Sequence, residues 1–196
     1  MTKSKNVLEI GSYRYKTTNQ IAKAIQENYR LDANCNVVTF DVIKGGYDGG
    51  KTHNISSPIL YPNFWFPYKT DDSNELDKSK FVLDNSEFSN EEIVNLNKNI
   101  LKDICQKLNI EYFDLIFIDG DHSTEGIQND FDVISEFANK DTLIVIDNIW
   151  DIRLIEVKNF FDKQKYIKWN FKEFNDKYYI KNRVQDTGVL VLEELQ

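Results

Sequence analysis

The residues with most chemistry to offer lie in one stretch, FDLIFIDGDHSTEGIQNDFDVISEFANKDTLIVIDNIW, from Phe113 to Trp150. Asp119, Asp121 and His122 follow one short apolar run, and Asp147 and Asn148 follow another. Together they offer oxygen ligands and one imidazole able to exchange a proton near neutral pH. That chemistry exists only if the chain brings them to one place. The apolar runs, Leu115 to Ile118 and Leu143 to Ile146, have the form of parallel strands covered on both faces. Between them Ile127, Phe131, Ile134 and Ala138 recur on one face of a helix. The result is a β-α-β unit, and ligands of open parallel sheets bind beyond the carboxyl ends of the strands. All five residues are therefore expected at that edge.

The other elements repeat the theme. Asn6 to Ile10 and Val37 to Phe40 read as strands flanking a helix from Thr17 to Tyr29 that carries Ile21, Ala22 and Ile25 on one face. A weaker strand, Lys80 to Leu83, precedes a helix that opens at a capping box, Ser89 with Glu92, and continues through Ile93, Leu96, Ile100, Ile104 and Leu108. A helix from about Ile152 to Asp162 leads to Tyr166 to Phe174 and Gly188 to Leu195, expected as a terminal antiparallel pair. Alternating β and α segments imply a doubly wound sheet. At 196 residues the chain suits one domain, 1–196.

Residues 45–79 break the alternation. They hold Gly45, Gly46, Gly49 and Gly50 and all three prolines, Pro58, Pro62 and Pro67, interleaved with Tyr61, Phe64, Trp65, Phe66 and Tyr68. A long aromatic loop in a compact domain is expected either to pack on its own domain or a second subunit, or to form a lid over an acceptor pocket.

A net charge of -8 gives no electrostatic footprint for nucleic acid or an anionic membrane. Cys35 and Cys105, in separate elements and without C-x-x-C spacing, suggest buried thiols rather than a disulfide framework or a zinc site. No signal-peptide pattern or membrane span is evident, so a cytoplasmic location is the expectation.

The first loop, Glu9-Ile10-Gly11-Ser12-Tyr13-Arg14-Tyr15-Lys16, fails the G-x-G-x-x-G test for a dinucleotide, because Tyr13 and Lys16 stand where glycines must let amides approach phosphates. A single glycine after an acidic strand end suits a ligand with a carboxylate and an ammonium but no phosphate. Asp41, ending the second strand, is placed to accept hydrogen bonds from a ribose diol. Blander roles exist for each residue: Asp119 as a cap of the following helix, His122 as a solvated loop residue, Gly11 as punctuation. Asp119 and Asp121 also form a D-x-D pair like that of aspartyl phosphatases, but after the fourth strand instead of the first.

With these residues in place, the chain resembles the class I S-adenosylmethionine-dependent methyltransferases, in particular the small metal-dependent O-methyltransferases acting on catechols, caffeoyl-CoA and macrolide sugars. VLEIGSYRYKTT is similar to the family's first motif, and FDLIFIDGDH with LIVIDNIW to those at strands four and five; the likeness covers Asn6 to Asp41 and Phe113 to Asp151. The resemblance implies a Rossmann-like, mostly parallel seven-stranded sheet of order 3-2-1-4-5-7-6 with strand 7 antiparallel. It implies that Glu9, Gly11, Ser12 and Tyr13 cradle the methionine end of the cofactor, that Asp41 holds its ribose, and that Asn85 and Ser86 lie near adenine. Asp119, Asp147 and Asn148 would bind Mg²⁺, whose preference for hard oxygen donors they meet, with Asp119 also reaching cofactor and acceptor. His122 would take the proton of the acceptor hydroxyl. The acceptor would be a small molecule or sugar; a non-catalytic cofactor-binding module of the same fold is the main alternative. Two departures stand out. Tyr15 replaces a second loop glycine, so it is expected to point outward or to reroute the loop, and the first strand begins almost at Met1, so the 45–79 stretch is expected to substitute for the helices that cover the acceptor in relatives.

Overall fold

A computed structural model describes residues 4–12, 15–29, 35–41, 60–64, 88–147, 155–163, 167–170 and 188–191. The elements are β1 (Asn6–Ile10), α1 (Lys16–Tyr29), β2 (Asn36–Asp41), β3 (Leu60–Phe64), α2 (Asn90–Leu108), β4 (Leu115–Ile118), α3 (Thr124–Ile134), β5 (Leu143–Ile146), α4 (Ile155–Lys163), β6 (Ile167–Asn170) and β7 (Gly188–Val191). The architecture is a Rossmann-like α/β fold. Its sheet runs in the order β3-β2-β1-β4-β5-β7-β6. The pairings from β3 through β5 are parallel, and β7 runs antiparallel to both β5 and β6.

Two apolar layers sandwich the sheet. On one face Val7, Val37 and Cys35 pack with Ala22 and Ile25 of α1. On the other, Leu8, Ile10, Val38, Phe40, Ile116, Ile118, Ile144 and Ile146 meet α2, α3 and α4 through residues such as Ile93, Leu101, Ile127, Ile134 and Phe160. The alternation along β1 and β2, one residue up and the next down, feeds both layers at once, which is why these strands read as continuous apolar runs. Helix α2 starts at the expected capping box: the Glu92 amide donates to Ser89 Oγ at 3.3 Å, and Glu92 Oε2 accepts from the Ser89 amide at 2.7 Å. Helix α3 is capped by Ser123, whose Oγ accepts from the Gly126 amide at 3.0 Å, and not by Asp119.

One strand, β3, was not expected from the sequence. The segment paired with β2 is Leu60–Phe64, inside the 45–79 stretch, while Lys80 to Leu83 lie outside the described residues. Pro62 lacks the amide a central strand must donate, so the local pattern argued against a strand. An edge strand pairs on one side only and tolerates it, and among the described strands β3 is at the edge of the sheet.

Register is fixed at the opposite end of the strands from the site. Asp114 Oδ2 accepts from the Lys5 and Asn6 amides at 2.7 and 2.8 Å, tying the start of β1 to β4. The buried Thr142 hydroxyl donates to the Phe113 carbonyl at 2.7 Å and ties β4 to β5. With the starts pinned, the carboxyl ends fall level.

Candidate active site

Four strands deliver their last residues side by side. Ile10 is level with Phe40 and Ile118, and Ile118 with Ile146. The ladder continues one step past the strands: the Gly11 and Ser12 amides both donate to the Phe40 carbonyl at 2.9 and 3.1 Å, the Asp119 amide to Ile10 at 2.8 Å, and the Asp147 amide to Ile118 at 3.0 Å. Gly11, Asp41, Asp119 and Asp147 therefore share one edge. Gly11 has φ +90, and a Cβ there would lie 1.9 Å from the Asp119 carbonyl oxygen. Any other residue would push the first loop off the end of β4.

Beneath that loop sits Glu9, with no exposed surface. Its Oε2 accepts hydrogen bonds from the hydroxyls of Thr18 in α1 and Thr39 in β2, the latter at 2.6 Å. Its Oε1 is buried and has no hydrogen-bond partner among the described residues. Burial pushes the carboxyl up to about 7; the two threonine hydroxyls act against the rise, and the charges of Asp119 and Asp41 add to it. Nearby, Ser12 Oγ donates to Asp41 Oδ2 at 3.3 Å, both residues being buried. Of the two courses expected for Tyr15, the outward one is not taken: the residue is buried, 7% exposed, with φ 55.

At the β4 end, His122 Nε2 lies 3.4 Å from Asp119 Oδ1. Burial raises the Asp119 carboxyl, the His122 hydrogen bond opposes this, and the charge of Asp147 raises it further. Burial alone would lower the His122 imidazole, but the Asp119 hydrogen bond and the charges of Asp119, Asp121 and Asp147 more than offset it, so it sits above its ordinary value. Asp121 is turned to a different task, since its Oδ1 accepts from the Ser123 amide at 2.8 Å at the start of α3. That removes the appeal of a D-x-D nucleophile pair. Sequence reasoning passed over Asp130, buried in α3 beneath the loop. A Cβ on Gly120 would meet Asp130 Oδ2 at 2.5 Å, so the DGDH turn lies directly against that carboxylate. Thr18 and Thr39 were also missed. Thr39 had a signal, being level with Glu9 on the neighbouring strand, whereas Thr18 reaches Glu9 only once α1 is folded over it.

The sequence from residue 8 to residue 149 matches the family profile of the methyltransferase domain. The chain belongs to that family. Its fold is shared with solved structures of methyltransferases. The O-methyltransferase of Bacillus cereus in complex with S-adenosylhomocysteine is 16% identical, with 97% of this chain and 75% of that chain covered and a TM-score of 0.53. TomG from Streptomyces achromogenes, an O-methyltransferase involved in tomaymycin synthesis, solved with S-adenosylmethionine, is 13% identical over 97% and 74% with a TM-score of 0.54. CalS11, a TDP-rhamnose 3'-O-methyltransferase of calicheamicin biosynthesis, is 11% identical over 96% and 72% with a TM-score of 0.57. At such identities the likeness is one of fold. No curated protein matches the chain in sequence.

For this methyltransferase the structure gathers Glu9, Gly11, Ser12, Asp41, Asp119, His122 and Asp147 at one sheet edge. Tyr13, Asn85, Ser86 and Asn148 lie outside the described residues. The orphaned Glu9 oxygen and the carboxylate of Asp41 suit a ligand bearing an ammonium and a diol. For a divalent ion the fit is partial: Asp119 and Asp147 adjoin, but among the described residues no group of three His, Cys, Asp or Glu side chains could hold a metal. No described helix is long and apolar enough to cross a membrane.

Proposed function

We propose that this methyltransferase moves the methyl group of S-adenosylmethionine to a hydroxyl oxygen of a small-molecule or sugar acceptor in the cytoplasm, with Mg²⁺ assistance. The observation that carries this reading is the buried Glu9 carboxylate, one oxygen unpaired, beneath the Gly11 turn and beside Asp41. A buried carboxylate with no cation beside it and one oxygen left unsatisfied costs stability and is retained where a ligand completes it. Glu9, Gly11, Ser12 and Tyr13 would hold the amino-acid end of the cofactor, Asp41 its ribose, and Asn85 and Ser86 its adenine. Asp119, Asp147 and Asn148 would hold the metal. When bound, the cofactor supplies an electrophilic methyl on a sulfonium, and the ion a Lewis acid that lowers the pKa of the acceptor hydroxyl.

The chain's own residues then have defined tasks. The shared edge fixes the acceptor oxygen relative to the cofactor site, which supplies the alignment an in-line displacement needs. His122 accepts the acceptor proton while Asp119, 3.4 Å away, stabilises the imidazolium that forms. The sheet order read off the described strands, with β7 antiparallel, is the order expected of these enzymes and supports the same reading. Support for an oxygen acceptor comes from the O-methyltransferases that share the fold, and for a sugar from CalS11.

Calorimetry with S-adenosylhomocysteine, with and without Mg²⁺, followed by turnover on a hydroxylated acceptor panel, tests the proposal. Binding without turnover on any acceptor would favour a cofactor-binding module. Absence of binding would end the methyl-transfer reading.

A further inference from the structure

Gly120, in the turn between β4 and α3, and Gly126, in the first turn of α3, both lie outside the left-handed φ range that glycine favours. Their backbones are therefore open to any residue, and within a helix glycine is less stable than alanine. Space, not conformation, excludes a side chain at both positions. A Cβ on Gly126 would come 2.3 Å from Asp121 Cγ and 2.6 Å from Asp121 Oδ2, and a Cβ on Gly120 would come 2.5 Å from Asp130 Oδ2. The arrangement is reciprocal. The turn gives a glycine to a carboxylate of the helix, and the helix gives a glycine to a carboxylate of the turn. Gly126 and Asp130, one helical turn apart, share a face of α3, and the Asp119 to His122 turn is laid along it.

Asp130 is the costlier of the two carboxylates. It is 1% exposed, in a helix whose Ile127, Phe131, Val133 and Ile134 are also buried. Aspartate is a poor residue for a helix interior and for an apolar layer, so its presence there points to a task. Burial also leaves the carboxylate no open solvent to swing into. Across the turn from it lies the cofactor loop: a Cβ on Gly11 would be 1.9 Å from the Asp119 carbonyl oxygen and 2.9 Å from the Gly120 amide nitrogen. The Asp119 amide in turn donates to the Ile10 carbonyl at 2.8 Å. Asp130, the Asp119–Gly120 peptide and Gly11 thus follow one another in close succession.

We propose that Asp130 is a positioning residue for cofactor binding: bearing on Gly120, it sets the level of the peptide on which the Gly11 turn rests. Close-packed layers pass a displacement on to the next layer. A void or a bulge at Asp130 therefore moves the Gly11 turn, and with it the groups placed to receive the ligand. The inference rests on the reading that the Gly11 pocket binds S-adenosylmethionine.

The test is calorimetric binding of S-adenosylhomocysteine, with thermal melts and two-dimensional amide NMR spectra, on the wild type, Asp130→Ala, Asp130→Asn, Gly120→Ala and Thr142→Val. Asp130→Ala empties the space and Gly120→Ala overfills it. Each should weaken binding by about 2- to 30-fold, the range for a residue that acts on a site through its neighbours, and shift the Gly11 and Ser12 amide signals. Asp130→Asn keeps the shape and should bind more tightly than either. Thr142→Val, which removes a hydroxyl at the far end of β4 and β5, should lower Tm and leave affinity unchanged, separating lost stability from lost position. Unchanged affinity in Asp130→Ala and Gly120→Ala would overturn the inference while leaving the cofactor reading intact. So would an Asp130→Asn protein as weak as Asp130→Ala, spectral shifts confined to α3 and Gly120, or affinity that simply follows Tm in every variant. A wild-type protein that does not bind S-adenosylhomocysteine would overturn both.

Discussion

Replacing Glu9 by glutamine isolates the effect of one buried proton. The native carboxyl is lifted from 4.5 to about 7, chiefly by burial. Between those values the folded protein keeps a proton that the unfolded chain has released, so the contribution of Glu9 is fully present below 4.5 and is lost as pH rises to about 7. At about 1.4 kcal/mol per pKa unit, the loss across that window is about 3 kcal/mol. For a chain of this length it corresponds to roughly 10 °C in Tm. Glu9→Gln keeps the two threonine partners on its carbonyl oxygen but carries no proton to lose. Thermal melts of both proteins from pH 4.5 to 8 should therefore diverge, with the wild type falling relative to the variant until about pH 7 and running parallel to it above. Cofactor binding reverses the balance, because an ammonium placed at Oε1 favours the ionised carboxylate. Affinity of the wild type for S-adenosylhomocysteine should rise with pH toward 7 with proton release, whereas the variant binds more weakly and without that dependence. Parallel melting curves throughout, with the same pH dependence of binding in both proteins, would refute the assignment of a raised pKa and of Oε1 as the ammonium site.

Asp41→Ala should cost about 1.5 to 3 kcal/mol in S-adenosylhomocysteine affinity by calorimetry, the range for a hydrogen bond to a charged group, and Ser12 will lose its acceptor as well. Gly11→Ala drives a methyl into the Asp119 carbonyl and strains φ, so both Tm and cofactor affinity should fall. His122→Ala should retain cofactor binding and lose about 10²- to 10⁴-fold in turnover. Asp119→Asn or Asp147→Asn should abolish stimulation of turnover by Mg²⁺, whereas full activity of the wild type in EDTA would remove the metal from the mechanism.

The sequence by itself determined the parts of the fold that depend on local pattern. The four-residue apolar runs before Asp119 and Asp147 could only be strands covered on both faces, and the capping box at Ser89 fixed where α2 begins, because both signals act between residues close in the chain. The convergence of Asp119, His122, Asp147 and Asp41 was legible too, since parallel strands in one sheet must end on one side. Tertiary structure decided the rest. Leu60–Phe64 is a strand only because β2 offers it an edge; its proline made the segment look like a loop until that partner was present. Tyr15 was expected either to point outward or to reroute the loop, and the tertiary structure decides: it is buried, at φ 55, with its amide bonded to the Ser12 carbonyl. The perturbed acid at Glu9 and the carboxylate of Asp130 beneath Gly120 were equally invisible. Burial and desolvation arise from what packs over a residue, and that is set by helices folding back across the sheet rather than by neighbours along the chain.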